Sequence, residues 1–278
     1  MYTIKDDKIF INDADDFIPM HILECGQIFR YKKVGSGYIV FSKNHKAVIR
    51  KINAGYEVIS DDARYFVDFF DLSTDYSLIK STLSKEEILQ KAIQYGKGIR
   101  ILKNDLLETI ISFIISANNN IPRIQKSIEY IASRLGEKIN DYYAFPTIDR
   151  LASADIDFFK KAGTGYRAKY LVDTIAKIKN GDFDLNKLES LDTKNAKKYL
   201  LSLKGVGEKV ADCILLFGIH RLDVFPVDTW INKIYNESFT STPLTNRKQI
   251  SQNLVNKYGD FSGYAQQYLF YYRRSFLH

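Results

Sequence analysis

A lysine, a cysteine and an aspartate towards the C-terminus have the types and spacing of a nucleophilic site. Lys209 and Cys213 are four residues apart, so they share one face of a helix. Asp228 follows Cys213 by fifteen residues and precedes a helical pattern, where its carboxylate would cap the helix and stay ionised. An amine must be neutral to attack carbon, and its free pKa is about 10.4, so desolvation or a base must help. The carboxylate can stabilise positive charge that develops on the substrate.

Each of these residues has a simpler interpretation when it is taken alone. Lys209 would then be a surface lysine, Asp228 a structural helix cap and Cys213 a small core residue. Lys204 is a rival nucleophile, ranked second because it would lie on the phosphate side of the turn that follows it. The joint spacing of the three residues with the glycine turn before Lys209 favours the chemical interpretation.

The segment Leu203–Cys213 places two glycines between two helical stretches. Gly205 and Gly207 permit positive φ and close backbone approach, and the second helix begins with unpaired N–H groups that can bind a phosphate oxygen. A turn on two glycines is common, but the whole string LKGVGEKVADC is specific. It resembles the helix–hairpin–helix of base-excision DNA glycosylases, which implies that Lys209 attacks C1′ of a sugar.

Composition limits the class of protein. The 278 residues, 45% hydrophobic and 26% charged, are typical of a globular chain with one large domain or two to three lobes. Two cysteines cannot supply a four-Cys iron–sulfur cluster, a Cys-only zinc site or a disulfide framework, so Cys25 and Cys213 are predicted to be thiols. The net charge of +7 favours an anionic partner. Because no apolar run approaches the roughly 20 residues of a membrane span and no signal-peptide pattern is present, we expect a cytoplasmic protein without membrane contact. The sequence does not indicate the oligomeric state, and a monomer is the default expectation.

The secondary-structure pattern changes along the chain. Residues 1–97 are predicted to form an antiparallel sheet, closed by a helix near Lys85–Tyr95, because β-prone runs alternate with Gly and Asn turns. From about residue 98 the periodicity is helical and no strands alternate with the helices, which excludes a doubly wound fold and predicts an α+β protein. The predicted strands are Phe29–Lys33, Tyr38–Ser42, Ala47–Ile52 and Tyr56–Ser60.

Two helices of the second region have explicit start signals. Asp105 stands three residues before Glu108, which is the spacing of a capping box at the start of a helix that runs through Ile115. Pro122 suits a first helical position, and Gly136 ends that helix. Further helices are predicted over Ala168–Lys179, Asn195–Ser202, Glu208–Phe217, Thr229–Asn236, Arg247–Lys257 and Tyr264–Phe276.

Taken together, these segments resemble an 8-oxoguanine DNA glycosylase/AP lyase of the helix–hairpin–helix superfamily. The resemblance implies an N-terminal antiparallel sheet subdomain at 1–97 and a two-lobed helical catalytic domain at 98–278, with the hairpin at 203–213. It implies duplex DNA containing 8-oxoguanine as substrate and Lys209 as a Schiff-base nucleophile, assisted by Asp228, with β-elimination to nick the strand. No metal or redox cofactor is implied, although a monovalent cation at the hairpin remains open. An enzyme of base excision repair would be nucleoid-associated.

The string CGQIFRY near the N-terminus is similar to the family's SGQ-x-FRW. In the family the glycine carbonyl accepts the N7–H that 8-oxoguanine has and guanine lacks, and this role falls on Gly26. Two facing acceptors would repel undamaged guanine. Without the resemblance, Gly26 would be interpreted as a loop glycine beside a strand.

The string GYAQQYLF near the C-terminus resembles the family's GWAQAVLF. Gln266 and Phe270 are four residues apart, so an amide can read the Watson–Crick edge while a ring stacks on the same base. The family places Cys213 on the other face of that base. Gln267 is the alternative amide, although its helical direction differs by about 100°.

Two loops resemble family segments that contact the opened duplex. SANNNIPR is similar to SSNNNIAR, which assigns Asn118 to the space left by the flipped base and Arg123 to the orphaned cytosine. GYRAKY is similar to GYRARY, which implies Tyr166 as a wedge in the base stack and Arg167 as a second reader of the cytosine.

One departure falls next to Asp228. Where the family has PVDVH, this chain has PVDTW at 226–230. The family's histidine contacts a phosphate near the lesion, and Trp230, the residue at this position, offers only one indole N–H donor. Affinity or turnover is therefore expected to differ from the family.

Three alternative functions compete with this interpretation. A monofunctional alkylbase glycosylase would share the hairpin and Asp228 but would lack a catalytic lysine at position 209. Endonuclease-III-like and adenine-mismatch glycosylases carry an iron–sulfur cluster that two cysteines cannot supply. A non-enzymatic hairpin DNA-binding module would leave Asp228, Gln266 and Phe270 unexplained as a set.

Overall fold

The computed structural model describes residues 2–12 and 15–275. Its N-terminal part contains one six-stranded sheet in which every pair of neighbouring strands is antiparallel, in the order β1-β2-β6-β5-β4-β3. The predicted antiparallel sheet is therefore confirmed. The strands are β1 (Tyr2–Lys5), β2 (Lys8–Ile11), β3 (Tyr31–Val34), β4 (Gly37–Ser42), β5 (His45–Ile52) and β6 (Gly55–Ser60).

The sequence analysis found four of these strands and missed β1 and β2. Both are only four residues long, which is too short for a clear alternation of apolar and polar residues, and β1 is largely exposed. It also missed the helices α1 (Pro19–Leu23), α2 (Ala63–Phe69) and α3 (Tyr76–Leu83), whereas α4 (Glu87–Tyr95) lies where it was predicted. Asp62 and Asp75 cap α2 and α3 by accepting hydrogen bonds from backbone N–H groups, which stabilises helices too short for a clear periodicity.

The rest of the described chain is mostly helical, which confirms the α+β class. The predicted helices are present, although the predicted end at Phe276 lies outside the described residues. Three helices of five or six residues and a two-stranded hairpin were not predicted, because such short elements complete too few turns or alternations. The elements are α5 (Leu106–Ser116), α6 (Ile121–Leu135), β7 (Lys138–Ile139), β8 (Tyr142–Tyr143), α7 (Ile148–Ala152), α8 (Ile156–Lys161), α9 (Ala168–Lys179), α10 (Leu185–Ser190), α11 (Thr193–Leu200), α12 (Glu208–Gly218), α13 (Thr229–Ser238), α14 (Arg247–Tyr258) and α15 (Ser262–Ser275).

The capping box at the start of α5 is only half formed. Asp105 accepts a hydrogen bond from the Glu108 backbone N–H at 2.9 Å, as predicted. The Glu108 carboxylate instead lies in the interior, 3.8 Å from a guanidinium nitrogen of Arg30. Burial raises the pKa of Glu108 to about 7, against the opposing effect of Arg30.

Two hydrophobic cores hold the fold together. The smaller core packs the sheet against residues such as Phe17, Phe66 and Phe70, and it includes Leu102. The larger core joins the helices, and residues of α3 and α4 belong to it. The division of the chain at residue 97 stays a prediction, because the two cores interleave along the sequence.

The larger core fixes the helices that carry the candidate site. α12 is buried from Val210 to Phe217 and packs against the buried helix α5. α15 packs against α4 and α13, with a continuous buried stretch from Ser262 to Leu269. Among the described residues, no helix has both the length and the apolar character that a membrane crossing would need.

Candidate active site

The hairpin before α12 has the geometry that its glycines predict. Gly205 has a φ of +84°, and a Cβ there would come within 2.6 Å of the Tyr170 ring, so only glycine fits. Gly207 is the N-cap of α12, which has no side-chain cap. A Cβ on Gly207 would meet nothing within 4 Å. The first turn of α12 is therefore open to an anion such as a phosphate.

Lys209 and Cys213 lie on the same face of α12. The half-buried Lys209 side chain acts on the Cys213 thiol by lowering its pKa, and its Nζ is 5.4 Å from the centroid of the Phe113 ring on α5. Burial raises the pKa of the Cys213 thiol to about 11, so this thiol is neutral at pH 7. Cys213 is thus suited to be an apolar wall of the site, and Lys209 is placed beside it as the predicted nucleophile.

Asp228 is the N-cap of α13, as predicted. One carboxylate oxygen accepts hydrogen bonds from the backbone N–H groups of Trp230 and Ile231, both at 2.9 Å. Burial raises the pKa of Asp228, while the two N–H donors and the charge of Lys209 act in the opposite direction. The two capping bonds favour the ionised carboxylate, as the sequence predicts, although burial opposes them.

The rival lysine has a different environment. The Lys204 side chain is 66% exposed, and its Nζ lies 2.6 Å from a carboxylate oxygen of Asp173 on α9. Lys209, by contrast, interacts with both Cys213 and Asp228. The structure therefore favours Lys209 as the nucleophile.

Gly26, near the start of the chain, lies against α15 near its end. With a φ of +86°, its backbone favours glycine, and a Cβ there would be 3.5 Å from the Phe270 ring and 3.7 Å from Ile121. Gly26 and Phe270, the two residues predicted to bind the same base, are therefore adjacent although 244 positions separate them.

The structure distinguishes the two neighbouring amides of α15. Gln267 is 1% exposed, and its amide nitrogen donates to the carbonyl of Cys25 at 3.1 Å. Gln266 is 5% exposed, and its side-chain oxygen has no hydrogen-bond partner among the described residues. A buried acceptor without a partner costs free energy unless a ligand satisfies it. Gln266 is therefore the amide available to read a base, and Gln267 holds the Gly26 segment in place.

Gln27 is a positioning residue that the sequence analysis missed. Its amide nitrogen donates to the carbonyls of Ile22 and Arg100 at 2.9 and 2.8 Å, and its side-chain oxygen accepts from the N–H of Leu102 at 2.9 Å. These bonds fix the backbone beside Gly26. The sequence could have pointed to this role through the glutamine that directly follows Gly26. Gln27 is 1% exposed, and a buried amide needs hydrogen-bond partners, which here are backbone groups.

The three consecutive asparagines have separate tasks. Asn120 caps α6 by accepting from the N–H of Arg123 at 3.1 Å, and Asn119 donates to the carbonyl of Ile115 at 3.1 Å. Asn118 is exposed, with a φ of +51°. The Arg123 side chain is also exposed. The turn therefore presents Asn118 and Arg123 to solvent, as an interface with DNA requires.

Arg167 connects the asparagine turn to the loop of Tyr166. Its guanidinium donates to the carbonyl of Asn118 at 2.8 Å, to Ala117 and to Thr164, and the residue is only 7% exposed. The Tyr166 ring lies 4.4 Å from the guanidinium and is 52% exposed. Tyr166 is thus available as a wedge, whereas Arg167 would have to exchange these bonds to contact a cytosine. Its role as a second reader stays a prediction.

Trp230 lies in the first turn of α13, beside the Asp228 cap. Its side chain is half-buried, and Nζ of Lys233 is 5.2 Å from the centroid of its ring.

Within the described parts of the chain, no three His, Cys, Asp or Glu side chains come together as a metal site would require.

Family models match the chain in two consecutive parts. Residues 9–110 match the N-terminal domain of 8-oxoguanine DNA glycosylase, and residues 111–258 match the HhH-GPD superfamily of base excision DNA repair proteins. The junction between the two matches falls inside α5, so it marks no boundary in the fold.

Related proteins match over most of the chain. The N-glycosylase/DNA lyase OGG1 of Arabidopsis thaliana is 31% identical over 271 residues, 88% of this chain and 74% of the relative. The probable N-glycosylase/DNA lyase of Methanothermobacter thermautotrophicus is 28% identical over 260 residues, 84% of this chain and 81% of the relative. The Clostridium acetobutylicum 8-oxoguanine glycosylase/lyase, solved with double-stranded DNA containing cytosine opposite to 8-oxoG, aligns with a TM-score of 0.93 and 37% identity. That alignment covers 99% of this chain and 98% of the Clostridium chain.

Proposed function

Because the chain belongs to the HhH-GPD superfamily of base excision DNA repair proteins, we propose that it is a bifunctional 8-oxoguanine DNA glycosylase/AP lyase. One observation carries the proposal: Lys209 interacts with both the Cys213 thiol and the Asp228 carboxylate. A shared lysine–carboxylate centre suits attack on a sugar, and a DNA-binding module has no need of it.

Backbone amides at Gly207 and the start of α12 bind a phosphate of the damaged strand. Asn118 and Tyr166 are exposed on neighbouring loops. As the damaged nucleotide leaves the base stack, Asn118 can occupy the space that it vacates, and the Tyr166 ring can insert between neighbouring bases. Arg123, exposed beside the asparagine turn, and Trp230, in the first turn of α13, contribute further DNA contacts. A monovalent cation held by hairpin carbonyls remains a prediction, and no step below depends on it.

The flipped base is recognised by residues from both ends of the chain. The carbonyl of Gly26 accepts the N7–H of 8-oxoguanine, and the Gln266 amide, which lacks a partner for its oxygen, binds the Watson–Crick edge. Phe270 stacks on one face of the base and the neutral Cys213 side chain packs on the other. Undamaged guanine presents an acceptor at N7 and is rejected by the Gly26 carbonyl.

Lys209 carries out the bond-breaking steps. Its neutral amine attacks C1′, the bond between C1′ and N9 breaks, and the departing base takes up a proton. Asp228 stabilises the positive charge on the sugar and on the lysine nitrogen during this step. The resulting C1′–N adduct opens to a Schiff base, and removal of a C2′ proton breaks the C3′–O bond and nicks the strand.

The alternative functions explain less of the site. A monofunctional glycosylase would have no use for a Lys209 whose charge acts on both Cys213 and Asp228. A non-enzymatic module would leave the buried Gln266 oxygen without a ligand. As a DNA repair enzyme, the protein would act in the cytoplasm at the nucleoid.

The direct test of the proposal is single-turnover excision on duplexes that carry 8-oxoguanine or guanine opposite cytosine. We expect chromatography to detect free 8-oxoguanine and gel electrophoresis to detect a nick 3′ to the lesion, with neither product from the guanine duplex. Release of the base without a nick would favour the monofunctional alternative. Tight binding with neither product would favour the DNA-binding module.

A further inference from the structure

Arg274, near the end of α15, borders the base pocket but has no part in the function described above. It follows Phe270 by four residues, and the centre of its guanidinium lies 5.3 Å from the centroid of the Phe270 ring. One terminal nitrogen, Nη1, is 3.4 Å from the position that a Cβ on Gly26 would occupy. A permanent positive charge therefore lies beside the two residues predicted to contact the damaged base.

The hydrogen bonds of this guanidinium are incomplete. Nη2 donates to the backbone carbonyl of Glu24, which fixes the orientation of the group. Nη1 is buried and has no hydrogen-bond partner among the described residues, and none of their carboxylates lies within ion-pair distance of Arg274. A buried charged donor without a partner is unfavourable, so Nη1 is suited to an acceptor that the substrate supplies.

The chemistry of the lesion offers such an acceptor at this place. In 8-oxoguanine the N7–H lies between two exocyclic oxygens, O6 and O8. A donor beside the carbonyl that binds N7–H therefore lies next to O6 if it is on one side of that carbonyl and next to O8 if it is on the other. We propose that Arg274 is a further lesion-recognition residue whose Nη1 donates a charge-assisted hydrogen bond to the exocyclic oxygen beside N7. The proposal rests on the function proposed above.

The bond to Glu24 determines what kind of contact Arg274 makes. An arginine with both terminal nitrogens free would bind O6 and N7 of ordinary guanine together, which is the commonest specific arginine–base contact. Because Nη2 is held by the Glu24 carbonyl, only Nη1 remains for the base. A single donor stabilises the oxygen of the lesion without offering guanine this paired contact.

The test compares Arg274→Met with Arg274→Lys in single-turnover excision of 8-oxoguanine opposite cytosine. Methionine keeps an unbranched apolar stem without the donor, and we expect a loss of roughly 10- to 100-fold. Lysine restores a charged donor and should recover most of this loss. Arg273→Met is the matched control, because Arg273 pairs with Glu237 instead of facing Gly26, and it should excise at the wild-type rate.

An abasic duplex separates recognition of the base from damage to the fold. Arg274→Met should nick abasic DNA as fast as wild type, since no base is present to be recognised. An equal loss on abasic DNA, a lysine variant no better than methionine, or unchanged excision by Arg274→Met would each overturn the inference. Failure of the proposed function is distinguishable, because wild type itself would then release no 8-oxoguanine, and the inference would fail with it.

A second lesion identifies which oxygen is bound. 8-Oxoadenine keeps N7–H and O8 but carries an amine in place of O6. Binding can be compared in the Lys209→Gln background, where no base is released. A loss of affinity confined to 8-oxoguanine assigns the contact to O6, an equal loss on both lesions assigns it to O8, and no loss on either overturns the proposal.

Discussion

The Lys209–Asp228 centre is built from 20 consecutive residues, whereas the base pocket joins Gly26 to Gln266 across 240 positions. The first region depends on one hairpin, on the uncapped start of α12 and on the start of α13, which Asp228 caps. All three are local features of the chain. The second depends on long-range hydrogen bonds, above all that from Gln267 to Cys25. We therefore expect chemistry and recognition to be separable in this molecule. Nicking of abasic DNA should need only the first region, and excision of 8-oxoguanine should need both.

Asp228→Asn tests the chemical region and should have the largest effect. Removing the charge that stabilises the sugar cation is expected to lower base excision by at least about 100-fold in single-turnover kinetics, with DNA affinity retained. Asparagine still caps α13 and avoids burying a charge, so thermal unfolding should show no loss of stability. An Asp228→Asn protein that excises at the wild-type rate would contradict the assignment.

Gln266→Met tests the recognition region and should have the next largest effect. Because the amide contacts only the base, excision of 8-oxoguanine should fall by roughly 10- to 100-fold while nicking of abasic DNA stays unchanged. The two activities can be measured side by side on matched duplexes. A parallel loss of both would show that the two regions are not separable in this way.

Much of the chemical region could be predicted from the sequence, because its signals are local. The hairpin string, the spacing of Lys209 and Cys213 and the cap at Asp228 each report on neighbouring residues, and the structure brings them together. The sequence also left open whether Gln266 or Gln267 faces the base. Only the packing of α15 against the Gly26 segment decides this, and the contacts of Gln27 and Arg274 depend on the same packing. The sheet was predicted without β1 and β2, because β2 takes its conformation from pairing with the distant strand β6, and β1 pairs with β2.

Gln267→Met tests the connection that builds the pocket. It leaves the buried carbonyl of Cys25 without its donor, so the free energy of unfolding should fall by about 1–3 kcal/mol. Urea unfolding provides the measurement. Gln249→Met, on the exposed face of α14, should stay within about 0.5 kcal/mol of wild type. An equally stable Gln267→Met protein would argue against this bond as the support of the pocket.

The pH dependence of excision should show the smallest effect. The reaction needs ionised Asp228, and burial raises the pKa of this carboxyl. The excision rate should therefore fall as the pH is lowered, and the midpoint of this fall should lie above the ordinary aspartate pKa of about 3.9. A pH–rate profile under single-turnover conditions measures the midpoint. The same midpoint in Asp228→Asn would assign the titration to another group.

Borohydride trapping on a duplex with 8-oxoguanine opposite cytosine identifies the lysine that attacks C1′. Borohydride reduces a Schiff base to a stable amine, so it joins the DNA covalently to the lysine that attacked C1′. We expect a trapped complex with wild type and with Lys204→Gln, and none with Lys209→Gln. A trapped complex that persists in Lys209→Gln, or base release by wild type without any trapped complex, would contradict this expectation.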